Sequence, residues 1–209
     1  MSLSDLLASA VSALKKHDCT FAVGGGFAAN IYRSEVRATE DVDFGIIAPG
    51  RDLEIVEAVW NELDIRGRVV TRREVSPAST YEPDAKWMMV ADRRGPRRVD
   101  FMLWALDWVT KAVERAQANV HPIPRGETAP FLTLEDVLVA KAFAVHHAGA
   151  MQNPYKHMSD IQDILVHNEA QVDLQYLSAR LHQCKVSLPK AMKSRLPRAF
   201  QPLTKGKNY

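Results

Sequence analysis

Two aspartates at alternate positions on an otherwise apolar strand constrain this chain more than any other feature. In Asp41-Val42-Asp43-Phe44-Gly45-Ile46-Ile47 the aliphatic and aromatic residues call for burial. Side chains two apart on a strand project to one face, so Asp41 and Asp43 are expected side by side at the edge of a core. Carboxylates held that close in apolar surroundings repel each other unless something cationic sits between them. Magnesium suits such a pair, because it takes a few carboxylate oxygens and leaves its other positions to water and to a substrate's phosphates.

The segment just upstream fits the same chemistry. Phe21-Ala22-Val23 reads as a short buried strand, Gly24-Gly25-Gly26 as a turn, and Phe27 to Arg33 as a helix whose first amides could face phosphates. Three glycines alone suit a tight connection as well as a phosphate cradle. A third carboxylate is more telling. Lys86 to Ala91 and Arg97 to Leu103 read as two strands joined by the polar turn Asp92-Arg93-Arg94-Gly95-Pro96, and Asp100 interrupts the apolar run of the second strand between Val99 and Phe101. Asp100 is expected either beside the other two carboxylates or as a partner of Arg97 or Arg98.

The order Gly-Gly, then Arg37-Ala38-Thr39-Glu40-Asp41-Val42-Asp43, then a lone Asp on a later strand resembles the polymerase-beta-like nucleotidyltransferase superfamily. Within it, the chain is most similar to the bacterial branch of abortive-infection and toxin-antitoxin nucleotidyltransferases. Leu134 to Lys141 and Lys156 to Ile164 are similar to the helical part of that branch, so the resemblance runs from about Phe21 to about Leu165. It implies transfer of a nucleoside monophosphate from an NTP to an acceptor hydroxyl, with release of pyrophosphate. It also implies two magnesium ions held by Asp41, Asp43 and Asp100, with Asp100 assisting deprotonation of the acceptor. Gly24 and Gly25 would contact the triphosphate, and the Gly26 amide stands where many members carry a serine or threonine. Thr39 is counted with the nucleotide site, and Lys141 would approach the phosphates or the base. Arg37 has two readings, bracing the carboxylate strand or contacting the triphosphate.

The acceptor stays open between RNA, especially a tRNA end, a protein hydroxyl and a small molecule such as an aminoglycoside. An antitoxin protein is the partner that the resemblance suggests. A catalytically silent nucleotide-binding module of a toxin-antitoxin pair is the alternative from another class, and retention of all three acids argues against it.

The fold class expected is α/β (α+β), a nucleotidyltransferase-type mixed sheet flanked by helices and followed by a helical C-terminal part. Amphipathic spacing predicts helices over Leu3 to Lys16 and Leu53 to Leu63, a strand over Arg66 to Thr71, a loop over Arg72 to Asp84 and a connecting helix over Trp104 to Gln117. His121 to Gly126 breaks regular structure, which divides the chain into residues 1–125, the catalytic part, and 126–209, a helical region with a basic tail. That tail carries Lys185, Lys190, Lys193, Arg195, Arg198, Lys205 and Lys207 and no acid. It reads equally as a phosphate-binding patch or as a solvated terminus.

Composition sets the outer limits. With 209 residues, 46% hydrophobic and 25% charged, and a formal charge of +2, the chain can bury a full core. Its start lacks the basic and apolar regions of a leader, and no window approaches the ~18 apolar residues of a membrane span. A cytoplasmic, reducing setting is therefore expected, with Cys19 and Cys184 as thiols. Zinc is excluded because His146, His147, His157 and His167 lack any ligand spacing.

Overall fold

The computed structural model describes residues 1–76, 82–147 and 154–204. In chain order the elements are α1 (Leu3–Lys16), β1 (Thr20–Val23), α2 (Gly25–Tyr32), β2 (Val42–Ile47), α3 (Asp52–Glu62), β3 (Gly67–Thr71), α4 (Arg72–Val75), β4 (Lys86–Ala91), β5 (Val99–Met102), α5 (Val109–Ala116), β6 (Val120–Pro122), β7 (Thr128–Pro130), α6 (Leu134–His146), α7 (Pro154–His167) and α8 (Leu174–Gln183). They form two compact units, residues 1–28 with 37–133, and residues 29–36 with 134–204 of the described chain. Among the described residues no helix is long and apolar enough to cross a membrane.

The first unit is built on a five-stranded mixed sheet in the order β1-β2-β5-β4-β3. Only β2 and β5 run parallel; the other neighbours are antiparallel. Alternation along β2 sends Phe44 and Ile46 to one face and Asp43 and Gly45 to the other. On the Phe44 face an aromatic cluster forms the core, with Phe44 5.7 Å from both Phe21 and Phe101, and Trp60 of α3 6.2 Å from Phe101. The Trp60 indole N–H donates to the Val99 carbonyl at 2.9 Å, so this buried ring keeps its polar atom satisfied while pinning α3 to β5. On the other face α5 covers Gly45, where a Cβ would meet Val113 at 2.9 Å. Helix α1 opens with a capping box between Ser2 and Asp5 and buries its apolar stripe, including Leu7, Val11 and Leu14.

Three segments differ from the sequence expectation. The connecting helix starts only at Val109, because residues 103–108 form turns that bury Leu103, Leu106 and Trp108 without helix. Residues 72–75, expected in a loop, form α4, which a Thr71–Glu74 capping box starts; residues 77–81 of that loop lie outside the described residues. His121 to Gly126 is not structureless: β6 and β7 pair antiparallel around a turn where Arg125 and Gly126 take φ of 70° and 74°. The chain leaving β7 then bridges to β1, Leu132 N–H donating to the Val23 carbonyl at 3.0 Å, which lays residues 131 and 132 beside the glycine turn.

The second unit centres on α6, which is buried on nearly all sides and packs against α7 and α8. Asp173 caps α8 by accepting from the Tyr176 N–H at 2.9 Å. Beyond α8 the basic segment is folded rather than loose. Two short 3-10 turns, Lys190–Arg195 and Arg198–Leu203, bury Leu188, Met192, Leu196 and Phe200 while Lys185, Lys190, Lys193, Arg195 and Arg198 stay exposed. Lys205 and Lys207 lie outside the described residues.

Candidate functional site

Strand register assembles the acidic centre. In the parallel pair of β2 and β5, Asp43 stands directly opposite Asp100, so both side chains leave the same face of the sheet about one strand spacing, ~4.8 Å, apart. Asp41 lies one residue ahead of β2 rather than on it, and still reaches the other two. One carboxylate oxygen from each of Asp41, Asp43 and Asp100 lies within 4.8 Å of the others. Like charges opposed on neighbouring strands are unfavourable, so this cluster needs compensation.

Part of that compensation is the glycine turn. Gly24 continues the β1–β2 ladder, its N–H donating to the Asp43 carbonyl at 2.8 Å. Gly25 starts α2 with φ +56°, and a Cβ there would fall 1.6 Å from Asp43 Oδ2. At Gly26 a Cβ would fall 2.5 Å from the Thr39 hydroxyl. The glycines therefore let the first turn of α2 lie directly on Asp43 and Thr39. The first amides of a helix have no partner within it and carry its positive end, which favours a carboxylate or phosphate at that place. Thr39 in turn donates its hydroxyl to Asp41 Oδ1 at 3.2 Å. Gly26 thus faces the hydroxyl of Thr39, while many members of the resembled superfamily carry a hydroxyl at position 26 itself.

Arg93 is a counter-charge of the cluster, where the sequence offered Arg97 or Arg98 as the partner of Asp100. Its guanidinium spans two of the three acids, Nη1 donating to Asp41 Oδ2 at 3.1 Å and Nη2 to Asp100 Oδ2 at 2.8 Å. Neither Arg97 nor Arg98 pairs with Asp100. Arg97 donates to the Leu63 carbonyl at 2.6 Å, and Arg98 joins Glu40 at 3.1 Å to the Arg93 carbonyl at 2.9 Å. These two arginines hold the protein's own backbone rather than offering a free cationic patch. Asp100, only 4% exposed, also accepts the Ala91 N–H at 2.8 Å. Burial pushes its carboxyl above the usual range, against the pull of Arg93 and that N–H. For Arg93 burial acts downward, but Asp100, Asp41 and Asp43 outweigh it and hold the guanidinium above its ordinary value.

The other expected contacts are placed as follows. Arg37 donates to the Ala38 carbonyl at 3.0 Å, a local contact that leaves its two readings open. Lys141 belongs to the second unit, where it is buried and its ammonium lies 3.0 Å from Asp160 Oδ2. Arg33 Nη1 donates to the other oxygen of Asp160 at 2.9 Å, so the fully buried Asp160 holds two cations. Asp163 accepts from the Ser34 hydroxyl at 2.6 Å and its N–H at 3.0 Å. The partners of this pair of acids thus include Arg33, Ser34 and Lys141.

Comparison with known proteins agrees with this geometry. Residues 5–202 match the family described as the nucleotidyl transferase AbiEii toxin of a type IV toxin-antitoxin system. No curated protein matches the chain. Among solved structures, the chain is similar to the antibiotic-resistance factor ANT(2'')-Ia in solution, with 18% identity over 86% of this chain and 90% of that one and a TM-score of 0.53. The crystal structure of ANT(2'')-Ia with adenylyl-2''-tobramycin gives 16% identity over 87% and 96% of the two chains and a TM-score of 0.51. At such identities the likeness concerns the fold, which is that of a nucleotidyltransferase.

Proposed function

The chain belongs to the AbiEii nucleotidyl transferase toxin family, and from that premise we propose that it moves a nucleoside monophosphate from an NTP to a hydroxyl of RNA, with the end of a tRNA as the favoured acceptor. The observation that carries this reading is the convergence of Asp41, Asp43 and Asp100 within 4.8 Å beneath the first turn of α2. The donor set is all carboxylate oxygen, which suits a hard divalent cation, and the absence of a side chain at Gly25 lets the first turn of α2 sit directly against the Asp43 carboxylate.

Asp41, Asp43 and Asp100 would hold two magnesium ions, which when bound supply charge stabilisation to the phosphoryl oxygens. Gly24, Gly25 and Gly26 let the backbone approach the triphosphate, and the amides at the start of α2 face it. Thr39 fixes the Asp41 carboxylate by its hydrogen bond. Asp100, in this reading, accepts the proton of the attacking hydroxyl, and pyrophosphate leaves. Arg37 is proposed as a further nucleotide contact on the strength of the family resemblance, whereas Lys141 is engaged by Asp160 in the second unit.

The RNA acceptor is supported by the exposed cations Lys185, Lys190, Lys193, Arg195 and Arg198, which are seated on a buried apolar row and so are presented on a fixed surface. Such a row binds phosphates with a strong salt dependence. The test is label transfer: the protein with magnesium, each of four α-labelled NTPs, and total RNA, cell protein or an aminoglycoside, with Asp41→Ala in parallel. Labelled RNA formed by the native protein alone is the expected result. Label on protein, label on an aminoglycoside, or NTP binding with no transfer would each replace the RNA reading with the acceptor, or the silent module, that it names.

A further inference from the structure

The guanidinium of Arg93 and any ion held by the triad draw on the same groups. Arg93 donates to Asp41 Oδ2 and Asp100 Oδ2, and both carboxylates belong to the cluster that would hold a divalent cation. Two features set this arginine apart from its neighbours. Its backbone is fixed: Asp92 N–H donates to the Arg66 carbonyl at 2.7 Å, Gly95 N–H to the Asp92 carbonyl at 3.0 Å, and Arg98 Nη2 to the Arg93 carbonyl at 2.9 Å. Its side chain, by contrast, is 56% exposed, while that of Asp100 is 6% exposed, so the guanidinium reaches the acids from the solvent side and can withdraw to it. A long, permanently charged fork on a fixed turn has few other places to go, and it matches the geometry of phosphate oxygens.

We propose that Arg93 is a displaceable counter-ion of the triad, which gives up Asp41 and Asp100 to an incoming divalent cation and then pairs with the triphosphate of the NTP, positioning it for transfer. The proposal rests on the metal-dependent reading of the site given above. It makes Arg93 act with opposite sign at two stages. Before nucleotide arrives it opposes the cation, because three carboxylates with one guanidinium attract a divalent ion less than three carboxylates alone. After nucleotide arrives it supports binding, because the cation has freed it beside the polyphosphate. A residue that merely kept the turn in shape would weaken both steps when removed.

The experiment is a Mn2+ titration of the full chain by electron paramagnetic resonance, followed by NTP titration at saturating Mn2+. Native protein, Arg93→Ala, Arg93→Gln and Asp43→Ala are compared. Arg93→Ala is expected to bind Mn2+ roughly tenfold more tightly, the combined effect of two half-exposed pairs, and to bind NTP on the order of tenfold more weakly. Arg93→Gln, which keeps a polar side chain on the turn but removes the charge and the guanidinium fork, is expected to do the same. Unchanged or weaker Mn2+ binding in both variants, or unchanged NTP affinity, overturns the proposal. If native protein and Asp43→Ala titrate alike, the triad holds no cation and the metal-dependent reading fails together with this one. If native protein binds through Asp43 and loss of Arg93 does not tighten binding, this proposal alone fails.

Discussion

Alanine placed at Gly25 is the sharpest single probe of the site, because two independent costs meet there. The backbone at Gly25 has φ +56°, where an L side chain costs about 1–2 kcal/mol. In addition the new methyl would fall 1.6 Å from Asp43 Oδ2, less than half of an ordinary contact of about 3.5 Å, so the Asp43 carboxylate must swing away by more than 1 Å. Metal–oxygen distances tolerate only about ±0.2 Å, so the displaced carboxylate is lost as a ligand. Gly50 supplies the control, since it also has positive φ, +79°, but a Cβ there meets nothing within 4 Å. Gly50→Ala is expected to lower stability by about 1–2 kcal/mol and to leave Mn2+ binding intact. Gly25→Ala should lower stability by at least as much, roughly 2–8 °C in Tm, and abolish Mn2+ binding at the triad. Gly24→Ala should be mild, because its Cβ meets the flexible Leu132 side chain at 3.4 Å. The assays are thermal unfolding and Mn2+ titration on the same preparations. If Gly25→Ala binds Mn2+ like the native protein, the placement of α2 on Asp43 is wrong, and the glycine turn is a connection rather than part of the site.

The other predictions concern different parts of the molecule. Asp160→Asn removes the shared partner of Arg33 and Lys141, whose side chains are 12% and 7% exposed, and is expected to cost about 3–5 kcal/mol by denaturant unfolding; a change under 1 kcal/mol would mean that the pairing is not a structural anchor. Phe200, 1% exposed, should cost about 3–5 kcal/mol when truncated to alanine, whereas a freely solvated tail would show no effect. Burial pushes the Cys19 thiol up to about 11, so the reactive thiolate is scarce at neutral pH and accumulates only as pH rises toward that value. Alkylation of Cys19 at pH 8, followed by peptide mass, should therefore run roughly 100-fold slower than for a free thiol of ordinary pKa near 8.5. A Cys19 that reacts at the free-thiol rate would contradict the burial that raises it.

How far the sequence reveals this molecule depends on whether the relevant interaction is local. The bounds of α1 were readable because its apolar stripe and the Ser2–Asp5 box are local signals, and the observed helix has the expected bounds. The strands carrying Asp43 and Asp100 were also readable, from short apolar runs. That these strands are neighbours, in a register that sets Asp43 against Asp100, is a long-range fact. The residues alone left Asp100 either beside the other two acids or paired with Arg97 or Arg98, and the resemblance favoured the first. The choice of Arg93 over Arg97 and Arg98 depends on which side of a turn faces the acids, and charge counting along the chain cannot decide it. The hairpin of β6 and β7 was hidden because its strands have three residues each and carry Pro122 and Pro130, residues that usually mark loops. The folded end of the chain was hidden by its prolines and lysines. Yet Leu188, Met192, Leu196 and Phe200 recur every fourth residue, and that period was a readable sign of packing.

The electrostatic arrangement has a consistent logic across these levels. A sheet that set two aspartates opposite each other, with a third beside them, would be less stable than one carrying apolar residues at the same positions. Each carboxylate is met separately: Asp43 by the start of α2 at Gly25, Asp41 by Thr39 and Arg93, and Asp100 by Arg93 and the Ala91 N–H. Burial and the neighbouring Asp41 charge push the Asp100 carboxyl upward, against the pull of Arg93 and the Ala91 N–H, so the mutual repulsion of the acids is felt at the buried member of the cluster. The acids sit on the side of the sheet where the glycines let the backbone of α2 approach them. In the second unit, by contrast, the fully buried Asp160 is paired with both Arg33 and Lys141. The convergence of three carboxylates within 4.8 Å, the buried one pushed upward, is the strongest physical reason to read Asp41, Asp43 and Asp100 as a place where charge is supplied from outside the chain.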